Sequence, residues 1–433
     1  MSAPATMEAV SPVRTRRAIR PSSRALSAPA TGERAAVLAV AAGVATLPLL
    51  VPHGPGNLAP ADLFIVVALG ACLMWIGTSG RSVSFPYAVA MWLFMAGGAI
   101  GALAGPVPWS GALALVQDLE LLVWCWAVAN IASEPRRLRT LINTWAYSSI
   151  AWAVLLMIGL IARAHFLTGQ TGSEGSRTAL TLFDPNYAAS YWFISIMIIW
   201  ASGVPRRRWV RVVAYCLLVI ALLSTGSNSG MVALIVGIAV AATLGVRRRR
   251  GPMAAVAAAA FLAIAGWLVA SNVSITQIQR WAHGSRYALI RDGLGRGQAS
   301  VRERTSILHE SIGLYRTGTP LGAGPVSTEV RLKDSMAPYV KEAHDDYFAA
   351  VLERGVVGAL GLLLLLGSVA TRTFWVGNGS VGGRFADVLA RPYALAGAVA
   401  GTLAAETVYE LLHVRHVWAL YGLVAAICLG SRR

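Results

Sequence analysis

The chain has 433 residues, 56% hydrophobic and only 13% charged, with mean hydropathy +0.60. Soluble domains carry about 25% charged residues, so this composition excludes an ordinary soluble enzyme and specifies an all-α polytopic membrane protein. The net charge of +17 does not mark a nucleic-acid binder, because the arginines cluster between apolar runs: RTRR at 14–17, PRRLR at 135–139, PRRRWVR at 205–211 and RRRR at 247–250.

Residues 1–34 are rich in Ala, Ser, Pro and Arg without an apolar period, which reads as a disordered cytoplasmic tail. Apolar runs long enough to span a bilayer follow at 35–52, 61–79, 85–104, 110–132, 140–163, 187–203, 209–225, 229–246, 252–270, 355–371, 393–412 and 415–430, about twelve by length. The ninth consists almost entirely of small residues, a pattern that favours close helix packing. If the chain starts inside, every arginine cluster falls on the cytoplasmic side, as the positive-inside bias requires. Both termini are then cytoplasmic. Residues 35–270 carry the first nine spans, 271–354 form one large extracytoplasmic loop, and 355–433 carry the last three. The eleven Lys and Arg of the loop do not oppose this topology, since long loops translocate whatever their charge. The four cysteines, Cys72, Cys125, Cys216 and Cys428, fall in apolar runs without CxxC spacing and read as packing residues.

Ionisable groups inside spans are costly and are functional candidates by default. Gln117, Asp118 and Glu120 interrupt the fourth span, and Glu406, Glu410 and His413 the eleventh. The latter three are spaced i, i+4, i+7, which predicts one stripe on one helix face. At 1.5 Å per residue, Asp118 lies roughly 12 Å and Glu406 roughly 9 Å from the outer helix ends. His344, Arg163, Arg177, Arg415 and His416 also fall at outer ends, so polar chemistry is expected to converge beneath the large loop. Pairing with arginines of neighbouring helices, contact with substrate and a transporter-like proton relay all fit these acids. Asp184-Pro185-Asn186 reads as an N-cap with proline at N1, opening the sixth span.

Within the loop, SVRERTSILHESIGLYR at 300–316 is predicted to be an amphipathic helix, with Val301, Arg304, Leu308, Ile312 and Tyr315 on one face. TGTPLGAGP at 317–325 is a turn region. EAHDDYFAAVLERG at 342–355 is predicted to start a helix that runs continuously into the tenth span.

These residues together resemble the O-antigen ligase/O-antigen polymerase superfamily of bacterial membrane glycosyltransferases. Arg304-Thr-Ser-Ile-Leu308 is similar to the Arg-x-x-x-Leu element that opens the conserved part of the family's loop. The GTPLGAGPVST stretch is similar to its Pro-Leu-Gly-x-Gly segment, and His344-Asp-Asp-Tyr-Phe348 with Glu353-Arg-Gly355 to its closing element. RTALTLFDPNYAA at 177–189 is similar to the segment before the family's middle span. The chain departs from the pattern in STGSNSGMV at 224–232, where Asn228 stands at the position of a family arginine; Arg177, Arg286 and Arg302 are the candidate replacements.

The resemblance implies transfer or polymerisation of a polyprenyl-diphosphate-linked glycan onto a glycan or lipid acceptor. It places this reaction at the outer face of a bacterial plasma membrane, with no metal or other cofactor and no nucleic-acid partner. Arginine forks suit a diphosphate and histidine suits a general base at neutral pH, so Arg304 and His344 are the catalytic candidates. Arg177, Arg302, Asn228, Asp345, Glu353, Glu406, Glu410 and His413 are the substrate-binding candidates, with Asp345 and Asp346 placed to orient the His344 imidazole. A membrane transporter or flippase of a lipid-linked or polar substrate is the alternative reading.

Overall fold

The computed structural model describes residues 31–52, 58–80, 82–170, 176–272, 275–286, 291, 297–340, 345–379 and 383–432. Among them the chain is helical and contains no strand. In chain order the helices are α1 (Thr31–Ala45), α2 (Pro60–Ser79), α3 (Ala88–Ala104), α4 (Pro108–Ile131), α5 (Pro135–Ala162), α6 (His165–Thr168), α7 (Pro185–Ser202), α8 (Arg208–Ser224), α9 (Asn228–Arg250) and α10 (Pro252–Asn272). They continue with α11 (Ile275–His283), α12 (Gly297–Thr317), α13 (Thr328–Asp334), α14 (Asp346–Gly377), α15 (Pro392–Ala405) and α16 (Arg415–Ser431). Among the described residues, α2, α4, α5, α9 and α14 are each long and apolar enough to cross a bilayer.

Local chemistry sets the helix ends. Proline occupies the first turn of α2, α4, α5, α7 and α15, where its missing N–H costs nothing. The Asp184 side chain caps α7 by accepting from the Asn186 amide at 2.6 Å, as the sequence predicts. Gly80 and Gly203 stop α2 and α7 in the left-handed conformation.

The core is built from the most apolar-all-round helices. α7 and α16 are buried along nearly their whole lengths, and Trp124, Trp145, Trp192, Trp418, Tyr191 and Tyr421 fill the space between them and α4 and α5. α16 packs on α4 and α14, α15 on α9 and α7, and α14 on α3. The α3–α14 contact is a glycine interface: a Cβ on Gly97 would fall 2.3 Å from the Gly358 amide nitrogen, so the backbones meet directly. The small-residue helix α10 packs differently from expectation. It rests on α9 and leaves Met253, Phe261 and Trp267 exposed; close approach occurs where glycines on two helices face each other. Cys72, Cys125 and Cys428 are buried free thiols, and Cys216 is an exposed one.

Two predicted continuous helices are interrupted. The segment 393–412 is not one span: α15 ends at Ala405, and 406–414 form a non-helical connection to α16. The 406/410/413 stripe on one helix face therefore does not exist. In α14, Gly355 has φ 62° and ψ −164°, so the helix that begins at Asp346 is kinked before it continues as a span. The predicted loop helix at 300–316 is present as α12. Its buried row is Ile307 and Ser311, while Leu308 and Tyr315 remain exposed.

Candidate functional site

The start of α14 lies against the 406–414 break. Asp345 is the N-cap of α14, its Oδ1 accepting from the amides of Tyr347 (2.8 Å) and Phe348 (3.2 Å). Burial raises the Asp345 carboxyl above its ordinary range, outweighing the opposing pull of those two amides. Asp346 serves the break. Its Oδ2 accepts from the Leu411 amide at 2.6 Å and the Leu412 amide at 3.2 Å, and its own amide donates to the Glu406 carbonyl at 3.2 Å. One carboxylate therefore closes the break between α15 and α16, whose amides would otherwise be buried without acceptors. These carboxylates were expected to orient His344; both are engaged in backbone capping. His344 itself lies outside the described residues.

The Glu353-Arg354-Gly355 triplet forms the next part of the wall. Glu353 accepts from the Val326 amide (2.9 Å), the Thr328 amide (3.2 Å) and the Thr328 hydroxyl (2.6 Å). The Glu353 carbonyl accepts from the Gly324 amide at 2.8 Å, and the Val356 amide donates to the Pro320 carbonyl at 2.9 Å. The Pro320–Pro325 turn is thus threaded against the kink. A Cβ on Gly355 would lie 2.4 Å from the Leu321 carbonyl carbon, so no other residue fits. Glu353, expected to bind substrate, lines the cavity described below and also holds the turn that borders it.

Arg354 points across the bundle. Its Nη1 donates to Asp118 Oδ2 at 2.7 Å, and its guanidinium lies 3.8 Å above the Phe94 ring centroid. Of the readings open for Asp118, pairing with an arginine of a neighbouring helix is the one observed. Asp62 binds Arg415 in the same way, through Nε to Oδ1 and through Nη2 to Oδ2 at 2.7 Å.

These elements enclose a cavity of about 440 Å³. Gln117, Asp118 and Glu120 of α4, Asp346, Glu353 and Arg354 of α14, Glu410 and His413 of the break, and Arg415 at the start of α16 all line it, with Phe183 and Tyr187 closing one side. The Tyr187 hydroxyl and His413 Nε2 are hydrogen-bonded and their rings meet edge to face. Glu410 and His413 thus reach the cavity from the irregular connection, not from a helix face. Glu406 does not: it is fully buried, accepting from the Tyr421 hydroxyl at 2.8 Å and facing the Tyr347 hydroxyl at 3.4 Å. Its carboxyl, expected to meet substrate, sits in a core hydrogen bond where the chain leaves the helix.

A second polar cluster adjoins the first at the start of α7. Arg177 Nε donates to the Thr225 carbonyl at 2.8 Å, and its Nη2 faces Asn186 Oδ1 at 3.5 Å. Asn186 Oδ1 also accepts from the Ser227 hydroxyl at 2.7 Å, and Ser227 caps α9 through the Gly230 amide at 3.2 Å. The guanidinium of Arg177 therefore sits at the turn that carries Asn228, which is exposed at the start of α9. Asn186 faces this cluster and its neighbour Tyr187 faces the cavity.

Arg302 is exposed on α12; Arg304 is on the same helix, its side chain outside the described residues. α12 meets α14 where the Tyr315 ring sits edge-on to Phe348 at 6.4 Å. Sequence reasoning missed Arg354 as a cavity residue and Asp62 altogether. Arg354 carried a signal: an arginine at the head of a membrane-length helix requires an acidic partner.

Comparison with known families places an O-antigen ligase model over residues 212–363. No curated protein matches the chain. The matched stretch contains the Arg304 and Pro320–Pro325 elements and the head of α14; Asp118, Arg177, Asn186 and the 406–414 break lie outside it. Over residues 212–363 this multi-pass membrane protein thus matches the O-antigen ligase family.

Proposed function

We propose that the protein transfers a glycan from a polyprenyl-diphosphate carrier to an acceptor hydroxyl during surface glycan assembly, at the outer face of a bacterial plasma membrane. The observation that carries this reading is the coincidence of two independent facts. The O-antigen ligase match ends within α14, and the first turns of α14, with its Glu353-Arg354 pair, form one wall of the 440 Å³ cavity. The twelve-span topology, with loop 271–354 outside and both termini cytoplasmic, belongs to the same reading.

The charge distribution supports a division of labour. Among the described residues, the cavity is lined by Asp118, Glu120, Asp346, Glu353 and Glu410 against only Arg354 and Arg415. Such a lining repels a diphosphate and accepts hydrogen bonds from sugar hydroxyls. The glycan belongs there, with Glu410 and His413 among its contacts. The diphosphate belongs with the arginines outside the cavity: Arg177, whose fork stands at the 224–229 turn where Asn228 replaces the family's arginine, and Arg304, with Arg302 on the same helix. In the reaction the acceptor oxygen bonds to the donor's anomeric carbon as the carbon–oxygen bond to the diphosphate breaks. His344, one residue before the N-cap of α14, takes the acceptor's proton, and the arginines hold the charge that develops on the leaving diphosphate.

A transport reading rests on the buried acids, and these are already engaged: Asp118 by Arg354, Asp62 by Arg415 and Glu406 by Tyr421. The test is His344→Ala and Arg304→Ala, separately, with cell-surface glycan profiled on a gel and protein level monitored. Loss of glycan at normal protein level is expected; unchanged glycan in both variants overturns the enzyme reading. Turnover of a polyprenyl-diphosphate glycan in EDTA is expected to persist, and its rescue by magnesium would overturn metal independence. In a deletion strain, single-repeat carrier intermediates would mark a polymerase, and long unattached chains a ligase.

A further inference from the structure

The arginine clusters that mark topology in the sequence also build a cavity. A second hollow, about 870 Å³, lies between α7, α8, α9 and the start of α15, and Arg208, Arg211, Arg249, Arg250 and Arg391 line it. These residues come from three separate stretches of sequence, and among the described residues no acidic side chain lines the hollow. Arg211 is fixed in place by the Gly203 carbonyl, to which its Nη1 donates at 2.6 Å. Arg211 and Arg391 are half-buried, while Arg208, Arg249 and Arg250 are exposed at the mouth.

The hollow stands apart from the candidate active site. Arg391 immediately precedes α15 and Glu406 immediately follows it, which separates the two ends by about 21 Å of helix. Five convergent guanidinium groups in one concavity repel one another, and this cost persists unless an anion occupies the space between them. The rest of the wall is apolar. Val212 and Ile238 are exposed beside the arginines, and Ile235, Ile220 and Leu223 continue exposed along the same two helices, α8 and α9, away from the basic mouth. A site for a free aqueous anion has no use for an apolar track, whereas a lipid presents a phosphate joined to acyl chains.

We propose that this hollow binds the phosphate headgroup of an anionic bilayer lipid, with an acyl chain laid between α8 and α9. The arginines act as a converging set of charge-assisted donors to the phosphate oxygens, and basic pockets between spanning helices suit this ligand class. The proposal does not depend on the glycan-transfer reading.

The test uses the full chain in detergent, incubated with phosphatidylglycerol or phosphatidylcholine and examined by native mass spectrometry. Retention of phosphatidylglycerol over phosphatidylcholine is expected. Arg249→Gln with Arg250→Gln is expected to weaken that retention about fivefold for each arginine removed. Arg206→Gln with Arg207→Gln, an equal charge change outside the hollow, is expected to leave it unchanged. Equal loss in both pairs, or no preference for the anionic lipid, overturns the site. Inorganic phosphate distinguishes the ligand source: full displacement of the lipid by millimolar phosphate overturns the lipid reading in favour of a soluble anion. Where the double variant fails to fold, Arg208→Gln at the exposed start of α8 carries the same comparison.

Discussion

Arg354 and Asp118 are 236 residues apart in the chain and meet at 2.7 Å, each side chain about one-tenth exposed. The pair ties α4 to the head of α14 and lines the candidate cavity. Removing one partner strands the other charge in a low-dielectric site, at a cost of about 3–5 kcal/mol. Arg354→Gln and Asp118→Asn are each expected to lower the melting temperature of the purified protein sharply. The double variant is expected to be less damaged than the sum of the two. Additive losses would show that the ion pair does not couple these helices.

Gly355 occupies a backbone region that is essentially glycine-only, so Gly355→Ala is expected to cost about 1–3 kcal/mol from conformation alone. The added clash with the Leu321 backbone, 2.4 Å from the new Cβ, cannot be relieved by a rotamer change. Gly367 lies in the same helix, and a methyl group added there would meet nothing within 4 Å. Gly367→Ala is expected to be neutral or stabilising by about 1 kcal/mol. Comparing folded yield and melting temperature for the two variants checks the kink.

Glu353 is expected to act on the Pro320–Pro325 turn through three accepted hydrogen bonds. Glu353→Ala leaves those donors without an acceptor, at about 1–3 kcal/mol for each that stays buried, and is expected to speed proteolysis within 318–327. Glu353→Gln retains one carbonyl oxygen for Thr328 and is expected to fall between wild type and Ala. Equal cleavage rates in all three proteins would remove the clamp.

For Asp345 the two substitutions separate capping from substrate binding. Asparagine caps helices as well as aspartate does, whereas alanine costs about 1 kcal/mol. Asp345→Asn is therefore expected to keep both stability and surface glycan, and Asp345→Ala to lose stability. Burial raises this carboxyl in the folded chain, so its ionised form is penalised relative to the unfolded state. Its contribution to stability declines as pH rises through the carboxylate range, and Asp345→Asn lacks that part of the slope. A melting temperature measured across this range in both proteins checks the sign.

Amino-acid order alone determined the features that depend on neighbours within a turn or two. Apolar runs became helices because every backbone amide in a bilayer must be satisfied within its own segment. Asp184 and Pro185 start α7, and the 300–316 periodicity became α12, for equally local reasons. The membership of the polar cluster was also readable, because Gln117, Asp118, Glu120, Glu410 and His413 are conspicuous in apolar surroundings. Only tertiary structure decided how they meet. AAETVYELLHVRH has helical spacing, yet the helix stops at Ala405 because Asp346, on another helix, accepts from the Leu411 and Leu412 amides. That long-range acceptor takes the place of local carbonyls for these two amides, while Glu406 turns into the core and Glu410 and His413 line the cavity. The arginine clusters follow the same rule: their spacing in sequence speaks of sidedness, and only the packing of α8, α9 and α15 brings them around one hollow.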